Sequence, residues 1–358
     1  MRVGYLIDAN RRTPGAAPPT PAEVAADMDA LLEEAMLAER AGFHAVAVPD
    51  RHRALECRFP GPEQLLTLIA RETERVALGS FTFVGTLVHP MKAAEQFAVI
   101  DNLSGGRLFT TLSRGFLPAF WGQFGIPEER MLGRFQETIR IWRQAFEGQR
   151  FDFGGDHWQV RQGMLAPPPY QPGGWPIWGG GNASPAAARR SADYAESWTS
   201  DPLPLTDAVW NERAGAYRER ALELGKRPFV VVMRDGWVAD SFEEAARTFG
   251  EHFATVARFY FRKGQLAGHP EFASEADLTP ERLAAHLVMG TPEQCLERLE
   301  QLHEERGVDY VMLCCRLTTG PSFEATREQI MRMGEEVVQP LHGRHPAPDH
   351  PAIPSGVG

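Results

Sequence analysis

Short runs of β-branched and apolar residues alternate along this chain with longer stretches whose apolar positions recur every three or four residues. That is the pattern of repeated βα units around a parallel sheet. Eight runs read as strands, at residues 2–7, 45–49, 76–83, 107–112, 176–179, 196–200, 229–239 and 309–315. Several are continuously apolar, as strands covered on both faces should be. Between them, residues 21–41 place Val24, Met28, Leu31, Leu32, Ala35 and Ala38 on one helical face and stop at Gly42. Pro90 opens a second helix with the stripe Ala93, Phe97 and Ile100, closed by Ser104-Gly105-Gly106. Thr291 reads as an N-cap, with Pro292 at the first helical position and Gln294 three residues after the cap.

The pattern predicts a single (β/α)8 TIM barrel over residues 1–341. Long insertions follow its fourth and seventh strands, at 114–171 and 242–285. The Pro-, His- and Gly-rich segment 342–358 reads as a disordered tail.

Composition adds exclusions. With 358 residues, 43% hydrophobic and 23% charged, the chain can bury a sizeable core, and a formal net charge of −10 opposes a general grip on nucleic acid. No run approaches the roughly 18 apolar residues that span a bilayer, and Met1 leads directly into a strand without a cationic leader, so a cytoplasmic protein without a membrane segment is expected. Cys57, Cys295, Cys314 and Cys315 lack metal-ligand spacing and read as reduced thiols. No Ser-His-Asp order, Walker pattern or HExxH is present, and no metal site is expected.

In a parallel barrel the carboxyl ends of the strands face the site. The polar residues found there are Asp8 and Asn10 after the first strand, Asp50, Arg51 and His52 after the second, and Thr82 and Thr86 with the third. Ser113 and Arg114 follow the fourth, Asn182 and Ser184 the fifth, and Trp198 and Thr199 end the sixth. Gly179-Gly180-Gly181-Asn182-Ala183-Ser184 joins the fifth strand to a helix beginning near Pro185. Consecutive glycines there leave backbone N–H groups open to an anion at a helix N-terminus. Arg114 adds a charged fork suited to phosphate oxygens. Phe81, Phe83, Phe116, Phe120 and Trp178 offer planar surface nearby, though ordinary core packing accounts for such rings equally well.

The segment LGSFTFVGTLVHPMKAAEQFAVIDNLSGGRLFTTLSRG, residues 78–115, is accompanied by AGFHAVAVPDRH at 41–52, PIWGGGNAS at 176–184, and GTPEQCLERL followed by GVDYVMLCC near the end. In these motifs and their order the chain resembles the luciferase-like flavin-dependent monooxygenases, including the α subunit of bacterial luciferase. The resemblance implies a dimeric barrel that binds FMN in its reduced form, FMNH2, or, in one branch, a deazaflavin. It implies a two-component system in which a separate flavin reductase supplies FMNH2 and O2 is used through a C4a-peroxyflavin to oxygenate a small organic substrate.

Arg114 matches the family's phosphate-binding arginine, and Asn182, Ala183 and Ser184 its phosphate loop, to which Gly181 of the glycine run would contribute a backbone N–H. Phe81-Thr82 matches a position beside the flavin that often carries a cis peptide, Phe116 would line the flavin, and Ser113 matches the luciferase cysteine near C4a. His52 matches the second of luciferase's paired histidines, but Arg51 replaces the first, which argues against light emission. His52, Asp50 and Arg51 are therefore candidates for substrate orientation or proton transfer. Asp8, Asn10, Trp198, Tyr260, Phe261 and Arg262 are candidate pocket residues for an apolar or ring-bearing substrate. Hydride transfer with a deazaflavin is the rival reading, and a non-enzymatic flavin-binding protein a more distant one.

Overall fold

A computed structural model describes residues 1–11, 15–52, 57–115, 118–180, 184–200, 203–264, 266 and 269–357. In chain order its elements begin with β1 (Arg2–Leu6), α1 (Pro21–Arg40), β2 (Ala45–Val48), α2 (Pro62–Glu72), β3 (Ala77–Val84), α3 (Pro90–Ser104) and β4 (Leu108–Ser113). The first insertion holds α4 (Pro118–Gln123), α5 (Met131–Phe146), β5 (Phe151–Gly154) and β6 (Gln159–Gly163). Then come β7 (Ile177–Gly179), α6 (Pro185–Tyr194), β8 (Ser197–Ser200), α7 (Asp207–Glu223) and β9 (Val230–Val238). The second insertion contains α8 (Phe242–Ala245), α9 (Glu251–Phe261) and α10 (Pro280–Ala284). β10 (Val288–Gly290), α11 (Pro292–Glu304), β11 (Tyr310–Cys314), α12 (Phe323–Met333) and α13 (Gln339–Arg344) complete the chain.

β1, β2, β3, β4, β7, β8, β9 and β11 pair in that order, all parallel, and β11 pairs back onto β1. These eight strands, the ones expected from the hydrophobic pattern, close a (β/α)8 barrel. Their residues alternate between two cores. Val3, Tyr5, Val46, Leu78 and Val232 face outward against the helices, and Leu6, Ala47, Phe81, Phe109, Trp178, Val231 and Met312 fill the interior. Helix starts follow local chemistry. Thr20 and Thr291 each form a capping box with the Glu23 and Gln294 side chains, and Gly42, at φ 88°, turns the chain out of α1 in a conformation a side chain would resist.

The structure departs from the sequence reading in three places. β5 and β6 form an antiparallel hairpin inside the first insertion, where Phe151 and Phe153 alternate with exposed neighbours. β10, three residues long and too short to show a period, pairs with Gly236–Val238, so β9 parts from the barrel after Asp235.

The third departure is the tail, which is packed rather than loose. Ala352 is fully buried, Ile353 and Val357 pack on the barrel interior, and His350 stacks on Phe229 with ring centroids 4.6 Å apart. Trp178 Nε1 donates to the Ala352 carbonyl at 2.8 Å, and Gly356 N to the Gly106 carbonyl at 2.9 Å. The aromatic rings at the amino ends of the barrel strands leave an apolar face that this segment covers.

Candidate functional site

The carboxyl ends of the barrel strands carry the polar residues. At β3, Phe81 pairs with Thr111 and Phe83 with Leu112, so Thr82 is an extra residue bulged from the ladder. The Phe81–Thr82 peptide is cis, and Thr82 Oγ1 lies 3.1 Å from Ser113 Oγ at the top of β4. Ser113 Oγ also accepts from Gly115 N at 3.3 Å. A Cβ on Gly180 would stand 3.0 Å from the Leu112 carbonyl, 3.1 Å from Ser113 Cβ and 3.3 Å from Thr82 Cγ2. The close approach of β3, β4 and the turn after β7 therefore depends on that glycine.

Arg114 follows β4 directly and is exposed; among the described residues its guanidinium makes no ion pair or hydrogen bond. On the neighbouring strand, Ser184 caps the ten-residue α6 by accepting from Ala187 N at 3.2 Å. A cationic fork and the positive end of a helix dipole thus sit on adjacent barrel strands, a combination suited to a phosphate. Phe116, Gly181, Asn182 and Ala183, expected to complete this seat, lie outside the described residues.

At the second strand, Asp50 is buried and ties three elements together. Its Oδ2 accepts from Val84 N at 2.9 Å, its backbone N donates to the Thr82 carbonyl, and its Oδ1 holds His52 Nε2 at 2.8 Å. The His52 side chain keeps 18% exposure and meets Phe124 edge-on at 4.9 Å. Asp50 thereby fixes the orientation of a ring that opens onto the mouth. Arg51 is exposed, and only its backbone N is bonded among the described contacts, to the Pro60 carbonyl.

On the far side, Asp8 accepts from Asn10 Nδ2 at 2.8 Å and pairs with Arg316 Nη1 at 3.2 Å, while Asn10 Nδ2 also reaches Thr318 Oγ1. Three charged residues of this end, Arg316, Asp235 and Arg11, escaped the sequence reading. Arg316 follows the eighth strand and would have been found by extending the same strand-end rule. Asp235 was hidden inside a strand read as running to 239; the break in the apolar run at Arg234-Asp235 was its signal. Its carboxyl is fully buried, with Oδ1 unpartnered among the described residues. Burial pushes its pKa up to about 7, the Asp8 charge adding to the rise and Arg234 opposing it. Arg11 is buried at the same corner.

Other candidates sit elsewhere. The Trp198 ring points outward, into the layer between sheet and helices, 5.6 Å from Trp210 and 6.0 Å from Tyr217. Alternation along β8 instead turns Thr199 inward. Arg262 is paired with Glu275 on the surface, and Tyr260 and Phe261 pack on the small core of the second insertion. The cysteines are free, and burial raises the Cys295 thiol to about 12 and pushes the Cys314 thiol up as well. Among the described residues no cluster of His, Cys, Asp and Glu could hold a metal ion, and no helix is long and apolar enough to cross a membrane.

Together these features define the class as a (β/α)8 barrel whose candidate site lies at the carboxyl ends of its strands, with Arg114 and the N-terminus of α6 on adjacent strands. Comparison with known proteins narrows the class. The family model of the luciferase-like monooxygenases matches residues 1–310. An uncharacterized protein of Sinorhizobium fredii, y4wF, is 33% identical over 178 residues, covering 49% of this chain and 52% of that protein, so the match spans about half the relative's length. The oxygenase component of a flavin-dependent trigonelline monooxygenase from Acinetobacter baylyi is 26% identical over 331 residues, 87% of this chain and 89% of that one. The oxygenating constituent of 3,6-diketocamphane monooxygenase from Pseudomonas putida, solved with FMN, superposes with a TM-score of 0.80 at 18% identity over 95% of this chain and 98% of that one, a likeness of fold. The chain belongs to the luciferase-like monooxygenase family and is a flavin-dependent monooxygenase.

Proposed function

We propose that this chain is the oxygenase component of a two-component monooxygenase. It would take reduced FMN from a separate reductase and oxygenate a small organic substrate with a ring-bearing or largely apolar body. The reading rests most on Arg114, an exposed guanidinium without a described partner placed beside the capped N-terminus of α6. The residues present fit a flavin, because a phosphate at this corner would find the Arg114 charge and the first N–H groups of α6 together.

Bound reduced flavin would supply the activation of O2. The chain's own residues would do the rest. Arg114 and Ser184 hold the phosphate, the Thr82–Ser113 hydroxyl pair stands at the top of the barrel beside the bulge, and His52, oriented by Asp50, moves a proton to or from the substrate. The same reading takes the enzyme as a cytoplasmic homodimer.

Arg114→Ala should weaken FMN by about 100-fold while riboflavin, which lacks the phosphate, changes little, the scale of a lost charge-assisted bidentate contact. Equal loss for both would remove the phosphate seat. Anaerobic spectral titration with reduced FMN and with a reduced deazaflavin decides the cofactor; preference for the deazaflavin would replace oxygenation with hydride transfer.

A further inference from the structure

We propose that the cavity at the seam between the ends of β1 and β11 binds a carboxylate group of the organic substrate, gripped by Arg11 and Arg316. This rests on the flavin reading for the identity of the ligand as substrate. The cavity has a volume of about 230 Å³ and is lined by both arginines, His252, the 318–322 segment and Phe323 at the start of α12.

Arg11 and Arg316 are 4% and 5% exposed, and their guanidinium carbons lie 4.3 and 4.2 Å from the centroid of the same ring, Phe323. Each is only partly satisfied. Arg11 Nη2 meets Glu34 Oε1 at 2.7 Å, and Arg316 Nη1 meets Asp8 and the Asn10 carbonyl, at 3.2 and 2.7 Å. Nε and Nη1 of Arg11 and Nε of Arg316 are buried with no hydrogen-bond partner among the described residues.

Buried N–H donors without acceptors carry a desolvation cost, and two guanidinium groups stacked on one ring present several such donors together. A two-oxygen anion answers it, because it accepts from a planar fork. Ser322 caps the eleven-residue α12 through Ala325 N, leaving the first N–H groups of that helix free beside the cavity. Thr319 Oγ1, 3.1 Å from His252 Nδ1, fixes the histidine of α9 on the opposite wall.

The place selects the ligand. In the barrel order, the seam between β4 and β7 that carries Arg114 stands diametrically opposite the seam between β11 and β1. A flavin held by its phosphate at the first seam would leave the opposite seam to the substrate. The substrate is then a ring or short chain bearing an acid group.

Calorimetric titration of the full-length protein with benzoate and with benzamide, each in the presence and absence of saturating FMN, tests this. Benzoate should bind about tenfold or more tightly than the amide, the scale of one charge-assisted hydrogen bond, and FMN should not displace it. Arg316→Gln and Arg11→Gln should reduce benzoate to the amide's affinity without altering FMN binding. Equal affinity of benzoate and benzamide for the unaltered protein overturns the proposal, whether or not the variants fold. Displacement of benzoate by FMN, or by equimolar inorganic phosphate at saturating FMN, also overturns it. Equal loss of FMN and riboflavin affinity in Arg114→Ala would instead defeat the flavin reading and leave the benzoate result standing on its own.

Discussion

The two ends of this barrel are made by the same eight strands and have opposite characters. At the amino end, Phe229, Tyr310 and Trp178 form an aromatic floor sealed by the tail, whose backbone groups find partners on Trp178, Gln171 and Gly106. Histidines there are dry: burial holds His44 down to about 4 and His342 to about 3, and His44 Nδ1 sits 2.9 Å from the Tyr310 hydroxyl. At the carboxyl end, buried arginines and carboxylates converge, and several polar atoms, among them Asp235 Oδ1, Thr199 Oγ1 and Arg316 Nε, lack partners among the described residues. One end is built for stability. The other holds polar groups at a desolvation cost, at the face where parallel barrels generally bind their ligands.

The comparison can be broken by variants that respect or violate it. The largest effect is expected at the mouth: His52→Ala should lower turnover with a flavin reductase and O2 by about 100-fold or more, the usual scale of a lost proton-transfer group, while the melting temperature stays close to that of the parent. A similar fall in stability would make His52 a structural strut instead.

Next is the floor. Removing residues 345–358 uncovers the aromatic base and should cost about 2 to 4 kcal/mol in denaturant unfolding, from lost apolar burial and the hydrogen bond on Trp178, with FMN affinity unchanged. A truncated chain as stable as the parent would show that the floor needs no cover.

The smallest effect concerns pH. The folded pKa of Asp235 is raised, so the native state holds this proton more tightly than the unfolded chain does. Its contribution is most favourable below about 4, declines as pH rises toward about 7, and is flat above that. Asp235→Asn should therefore gain stability relative to the parent at pH 8 and show a flatter profile between pH 4 and 7, measured by urea unfolding. An unchanged profile would mean that water reaches the carboxyl.

The sequence by itself determined the barrel. Strands covered on both faces are read from unbroken apolar runs, and capped amphipathic helices from Thr20, Thr291 and the spacing of Val24, Met28 and Leu31, because burial and backbone capping are local demands. It also located Arg114, Ser184, Asp50 and His52, since a residue immediately after a parallel strand has only one end of the barrel to occupy.

Only the tertiary structure decided the rest. It turned Trp198 outward, because a shift of one position along β8 exchanges the two faces. It paired Arg262 with Glu275 on the surface and drew the tail onto the floor. It ended the barrel course of β9 at Asp235, and it brought Arg11 and Arg316, 305 positions apart along the chain, onto the single ring of Phe323. Such meetings depend on barrel closure, in which the last strand returns to the first, and no window of local sequence carries that information.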